Sequence, residues 1–179
     1  MKVSATIELV WQFAGQEAIA GEFKEIEPEH FWMALLKFSE LSVDEVDKIA
    51  KGSEFARELA AEVNAVREDL ESRAIDSTPS RRTLRAQLGK GGTPYEGGKM
   101  HRSSSSREFF DAAARLADDA GSQILTANYL LDALLTQPTP KIVKALGDDI
   151  KKKIDKPSKT PLLDEYGRNL VQMAADGNL

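Results

Sequence analysis

The sequence predicts an all-α protein. Apolar residues recur at the 3.6-residue helical period along almost the whole chain, with cap residues between the runs. No stretch shows the alternation of a strand. The chain also resembles itself at an interval of 99 residues, which predicts an internal duplication.

The elements follow in order. Ile7, Val10, Trp11, Ala14 and Ala18 share one helical face. Pro28 suits a first helical position and opens HFWMALLKF. Ser42 and Glu45 form a capping box, SVDE, before a short helix. Phe55, Leu59, Val63, Val66 and Leu70 make a long apolar stripe opposite charged residues. Thr78 and Pro79 are expected to cap and open a further helix that ends near Gly89. Ser105 and Glu108 suggest a second capping box, before a helix with Phe109, Ala112, Ala113, Leu116 and Ala117 on one side. Thr126 is placed to cap ANYLLDALL, and Thr139-Pro140 to start KIVKAL; a break at Gly147 precedes a short charged helix.

Setting Val10–Leu36 over Phe109–Leu135 aligns Ala14 with Ala113, Ala18 with Ala117, Ile26 with Leu125, and the two Ala-Leu-Leu runs ending at Leu36 and Leu135. Both segments read as helix, loop, helix. Duplication is the preferred reading; chance likeness of two amphipathic hairpins is the alternative.

Composition narrows the function classes. The 179 residues suit one compact domain or two small ones. The absence of cysteine excludes disulfides and thiolate metal sites and fits a cytoplasmic location. Met1–Phe13 has no apolar run suited to a signal peptide, and no stretch is long enough to span a membrane. The net charge of −5 conceals a basic segment: Arg81 to Arg107 holds seven Lys or Arg and a single acid, Glu96.

That segment includes LGKGGTPYEGGKMHRSSSS, Leu88–Ser106, with five of the twelve glycines. It fails as a phosphate loop. Gly98-Lys99 has Thr93 where the first glycine belongs, Gly89-Lys90 has Leu84, and neither is followed by Ser or Thr. The dinucleotide pattern fails at Pro94. Glycine, serine and proline together predict a flexible linker. Its basic residues could meet nucleic acid, but Tyr95 is the only aromatic among them, so a connector lying against an acidic body is favoured. The histidines, His30 and His101, form no His-Glu-x-x-His pattern, and His30 reads as a packing or capping residue. Asp118-Asp119 and Asp148-Asp149 read as exposed helical carboxylates. Nothing assembles into a catalytic site, which points to a binding module.

The last twenty residues, TPLLDEYGRNLVQMAADGNL, resemble the junction that leads into the first ATPase module of Clp-type AAA+ unfoldases. Thr160, Pro161, Leu163, Asp164, Tyr166, Gly167, Leu170, Ala174, Gly177 and Leu179 carry the match. Upstream, EHFWMALL (Glu29–Leu36) and NYLLDALL (Asn128–Leu135) are similar to the paired signatures of the Clp N-terminal domain. The resemblance covers nearly the whole chain and is weakest from Ala74 to His101.

The resemblance implies two pseudo-twofold-related four-helix repeats joined by a long basic connector. Residues 1–155 would be the N-terminal domain, with repeat one at 4–72, the connector at 73–106 and repeat two at 107–155; residues 156–179 would be linker and the start of an ATPase module. It implies no catalysis in this segment. The domain would receive unfolded or tagged proteins, or adaptor proteins, for its own hexameric ATP-dependent ring, acting as chaperone or peptidase-coupled unfoldase. ATP and Mg²⁺ would belong to downstream modules, with no cofactor or metal here, and no membrane partner is implied. Carried over residue by residue, the binding positions are Ser4, Glu29, Phe110, Leu116 and Tyr129, with core packing the other reading for the last three. Asn128 and Ser122 stand where repeat two would carry acids, so acidic recognition would rest on Glu29. The alternatives are a free-standing regulator that docks on a Clp complex, and a nucleic-acid module built on the basic connector.

Overall fold

The computed structural model describes residues 1–52, 54–147 and Ile154. Among them the chain is mostly helical, with β1 (Lys2–Val3), α1 (Ala5–Ala20), α2 (Pro28–Ser39), α3 (Val43–Ala50), α4 (Phe55–Ser72), α5 (Ser77–Leu88), α6 (Ser104–Asp119), β2 (Ile124–Leu125), α7 (Ala127–Thr136) and α8 (Pro140–Leu146). No described helix is long and apolar enough to cross a membrane. The segment from Thr160 to Leu179, with its junction-like motif, lies outside the described residues, as does Asp148-Asp149.

Helix α2 is the centre. Every residue in it except Lys37 is buried. A helix apolar on all sides must be surrounded, and α2 packs against α1, α4, α5, α6, α7 and α8. The indole N–H of Trp32 reaches Ser80 Oγ in α5 at 3.4 Å, and Leu84 of α5 is fully buried. The helix inside the basic connector therefore belongs to the core.

Two of the expected side-chain caps and two of the expected helix-opening prolines hold. Ser42 and Glu45 form a reciprocal capping box, Thr139 Oγ1 accepts from Ile142 N, and Pro28 and Pro140 open their helices. Three starts differ from expectation. Thr126 stands at the N-cap of α7, but its side chain makes no cap bond, and Ala127 N donates to Glu62 instead. Helix α6 is capped by Ser103, whose Oγ accepts from Ser106 N at 3.2 Å, rather than by Ser105. Four serines in a row can each cap, and tertiary contact decides: Ser103 N and Ser106 Oγ both donate to Ile26 O, at 3.1 and 2.6 Å. Helix α5 begins at Ser77 rather than after Thr78, whose hydroxyl donates to Glu40 instead. Pro79 is tolerated there because first-turn N–H groups have no intrahelical partner.

The 99-residue interval recurs in the backbone. Helices α1 and α6 are each 16 residues long and start 99 apart; α2 and α7 also start 99 apart. Both first helices end in the same left-handed turn, with φ 60° at Glu22 and 71° at Gly121. The N–H of Phe23 bonds to Ala18 O and that of Glu22 to Ile19 O; Ser122 to Ala117 O and Gly121 to Asp118 O repeat the pattern. This is the Schellman arrangement that satisfies the last carbonyls of a helix.

The two hairpins also exchange chain segments. Strand β1 pairs in parallel with β2, Val3 opposite Leu125. Arg102, 99 residues after Val3, pairs in parallel with Ile26, 99 residues before Leu125. These pairings correct the expectation of no strand. Two residues are too few for an alternating pattern to register in sequence.

The flexible-linker reading of Leu88–Ser106 is also corrected for its middle. The segment after α5 lies as a strap along the α1–α2 turn: Gly91 N donates to Gly21 O at 2.9 Å, Thr93 N to Glu22 O at 2.8 Å and Ile26 N to His101 O at 2.8 Å. A Cβ on Gly91 would stand 2.6 Å from Glu22 O and 2.9 Å from Phe23 Cα. Glycine here permits a close backbone approach rather than looseness. Gly91→Ala should lift the strap, cost about 1–2 kcal/mol, and speed amide hydrogen exchange at Thr93 at least tenfold. Unchanged exchange at Thr93 would show that the strap is held elsewhere.

Candidate functional site

The five positions carried over from the resemblance do not form one cluster. Ser4 caps α1. It is buried, its Oγ accepts from Thr6 N, and it donates to Glu62 on α4. Glu29, in the first turn of α2, is also buried, and its Oε1 accepts from Thr139 Oγ1 at 2.7 Å. Phe110 and Leu116 lie on α6 and Tyr129 on α7, and these two helices pack together; Phe110 is buried, while Leu116 and Tyr129 are half-buried against the core.

The join between the hairpins carries an aromatic seam. Trp11 of α1 and Phe110 of α6 are equivalent positions at the 99-residue interval, and their rings meet at 5.7 Å between centroids. Phe31 and Phe109 extend the cluster: Phe31 stands 5.0 Å from Phe110 and 5.4 Å from Phe109. Arg102 lies over both central rings, its guanidinium carbon 4.4 Å from Trp11 and 4.5 Å from Phe110. Each such contact contributes on the order of 0.5–2 kcal/mol. Burial, then the nearby Arg107, lowers the Arg102 pKa from its ordinary value, yet an arginine stays charged. Trp11 and Arg102 are both half-buried. The seam thus presents one cation and apolar ring surface to whatever lies against it, a pairing common in protein recognition sites.

Beneath one end of this join sits a buried carboxylate, Glu62. It accepts from Ser4 Oγ, from Thr6 Oγ1 and from Ala127 N at 2.9 Å, which links α4 to the starts of α1 and α7. Negative charge at two helix N-termini is favourable. Sequence reading passed over Glu62, Trp11 and Arg102. Glu62 stands three residues after Leu59 and four before Val66, inside the apolar stripe. Trp11 aligns with Phe110 in the duplication, so both carried a signal. Arg102 was grouped with the solvated cations because stacking on rings leaves no local pattern.

The connector's charges are largely engaged. Arg81 pairs with Glu40, Arg85 with Glu17 and Lys90 with Glu22. On the far side of α4, Arg73 is buried between Asp69, at 2.9 Å, and Asp132 of α7, at 3.3 Å. Burial first, and the Asp69 charge second, push the Asp132 carboxyl up to about 6, against the opposing pull of Arg73. Among the described residues no group of three metal-capable side chains converges.

No protein-family model matches the chain, and no curated protein matches it.

Two outcomes follow. Glu62→Ala should cost about 2 kcal/mol in urea unfolding, because it leaves the Ala127 N–H buried without an acceptor and takes one partner from the Ser4 and Thr6 hydroxyls, which keep each other and Glu58; a loss below about 0.5 kcal/mol would mean that the Ala127 N–H finds another partner. Asp132 has a folded pKa above its ordinary 3.8, so the folded state binds its proton more tightly than the unfolded chain. Its contribution to stability therefore falls as pH rises from about 4 to 6 and is level above that. Relative to the parent, Asp132→Asn should gain stability across that window, read by thermal melts at each pH. A constant difference between the two proteins would mean that Asp132 titrates normally.

Proposed function

We propose that this chain is the substrate- or adaptor-recognition domain of a Clp-type AAA+ unfoldase, built as two pseudo-twofold-related four-helix repeats. The observation that supports it best is the reciprocal exchange at the 99-residue interval, in which Val3 meets Leu125 and Arg102 meets Ile26. It fits the two-signature pattern that Glu29–Leu36 and Asn128–Leu135 carry in sequence. In this reading α1–α4 form repeat one and α6–α8 the first three helices of repeat two. The fourth helix of repeat two, the short charged helix expected after Gly147, lies outside the described residues apart from Ile154.

The partly exposed side chains support this reading. Half-buried Trp11, Arg102, Leu116 and Tyr129 offer modest apolar area and one stacked cation, which suits weak, sequence-tolerant capture of exposed protein segments. Capture by a domain tethered to a ring raises the local concentration of substrate at the pore. Delivery to an ATP-driven ring, in a chaperone or a peptidase-coupled machine, is part of the same proposal.

Labelled, permanently unfolded α-lactalbumin should bind the purified chain at micromolar concentrations in fluorescence anisotropy. Tyr129→Ala should weaken that binding about fivefold, in keeping with about 1 kcal/mol for an aromatic contact, while the helical circular dichroism is kept. Because Glu29 accepts from Thr139 in a buried position, Glu29→Gln is the conservative test of its charge, and it should weaken capture of a polyarginine-tagged peptide without loss of fold. Absence of binding at 100-fold higher protein concentration sinks the reading.

A further inference from the structure

A cavity of about 280 Å³ lies between α1, α2 and α5, away from the aromatic seam and unused by the proposed capture. Phe23, Met33 and Leu88 supply apolar wall, His30 lines it from α2, and Arg85 and Lys90 stand at its edge with largely exposed side chains. A mostly apolar cleft with one or two placed polar groups is the usual form of a small-ligand site.

The polar group here is His30. Its Nδ1 accepts from Glu27 N at 2.9 Å, closing the capping box of α2. That bond fixes the neutral tautomer with its proton on Nε2. Burial lowers the His30 pKa to about 4, outweighing the nearby Glu29 and Glu17 charges, so the ring is neutral at pH 7. Nε2 is buried and has no hydrogen-bond partner. A buried donor without an acceptor costs free energy that an incoming acceptor would recover. The half-buried ring of Phe23, which lines the same cavity, stands 4.7 Å from the imidazole between centroids. Phe23 sits on the turn just after left-handed Glu22, and a side-chain rotation there is the kind of adjustment that binding commonly brings.

The charges at the edge decide the ligand's own charge. Arg85 is paired with Glu17 at 2.7 Å, and Lys90 with Glu22 at 3.1 Å and with Ala20 O at 2.7 Å. The edge is balanced and already engaged, so a charged ligand would have to break these pairs. We infer that the cavity binds a compact, uncharged, mainly apolar molecule bearing one acceptor oxygen, a ketone or ester carbonyl, which takes the Nε2–H of His30. The site does not depend on the recognition-domain reading.

The test uses the full chain and two probes of like shape, acetophenone and ethylbenzene, titrated by ¹H–¹⁵N NMR. Acetophenone should shift the amides of Phe23, Met33 and Leu88 and the Nε2 resonance of His30, and bind about fivefold more tightly than ethylbenzene. Ala86 lines the same cavity and is exposed, so Ala86→Trp should fill the space without unfolding the protein and abolish the shifts. His30→Phe should remove the preference between the probes; because it also removes the α2 cap, its circular dichroism is checked first. Equal affinity for the two probes in the parent, no shifts at these amides, or shifts that survive in Ala86→Trp would each overturn the inference.

Discussion

The rest of the structure depends on the burial of α2 from every side. Its Phe31, Trp32, Leu35, Leu36 and Phe38 leave no solvent face. One hairpin partner, α1, can cover only part of such a helix. The second hairpin, α4 and the connector helix must close around it, and each does so with a specific contact: Phe109 and Phe110 against Phe31, Arg67 of α4 donating to Ser39 O, and Ser80 under the Trp32 indole. Removing any covering element would expose aromatic area worth on the order of 25 cal/mol per Å². The described helices therefore act as one core, even though a glycine-rich segment runs between two of them.

Surrounding α2 brings polar backbone ends into the interior, and the structure meets that cost with a few side chains. Glu62 serves the start of α1 through Ser4 and Thr6 and the start of α7 through Ala127. Glu29 meets Thr139, the cap of α8. Residues read as ligand-binding from resemblance thus also have structural work: Ser4 and Glu29 hold helix starts in place. A partner that drew on either would compete with an internal bond. The half-buried seam residues, Trp11 and Arg102, carry no such competing polar duty, and their side chains stack on rings instead.

Much of this was legible in sequence, because it is written in local chemistry. Capping residues at Ser42, Thr139 and Pro28 and the apolar stripe from Phe55 to Leu70 report directly on helices. The 99-residue likeness reported on the paired hairpins, down to matched turns at Glu22 and Gly121. What escaped was set by contacts distant in sequence. Ser103 was chosen over Ser105 because Ile26 O lies beside it. Gly91 read as looseness when its role is a close approach to Glu22. Arg73, joined to Asp69 four residues before it, also reaches Asp132 on α7, a link that no local spacing announces.

The strap shows which interactions govern the basic connector. Its ion pairs are mostly exposed, as with Arg85 to Glu17 and Lys90 to Glu22, and such pairs contribute little, about 0–1 kcal/mol each. Its backbone bonds to Gly21, Glu22 and Ile26 are short and directional, and Gly91 permits them by carrying no side chain. Backbone geometry therefore fixes how the connector lies, and the ion pairs add little to it. Arg102 is the junction of the two effects. Its backbone pairs with Ile26, and its cation leaves the strap to settle over Trp11 and Phe110. The same segment that closes the α1–α2 turn thereby shapes the seam, so a change in the strap is felt at the aromatic cluster through one residue.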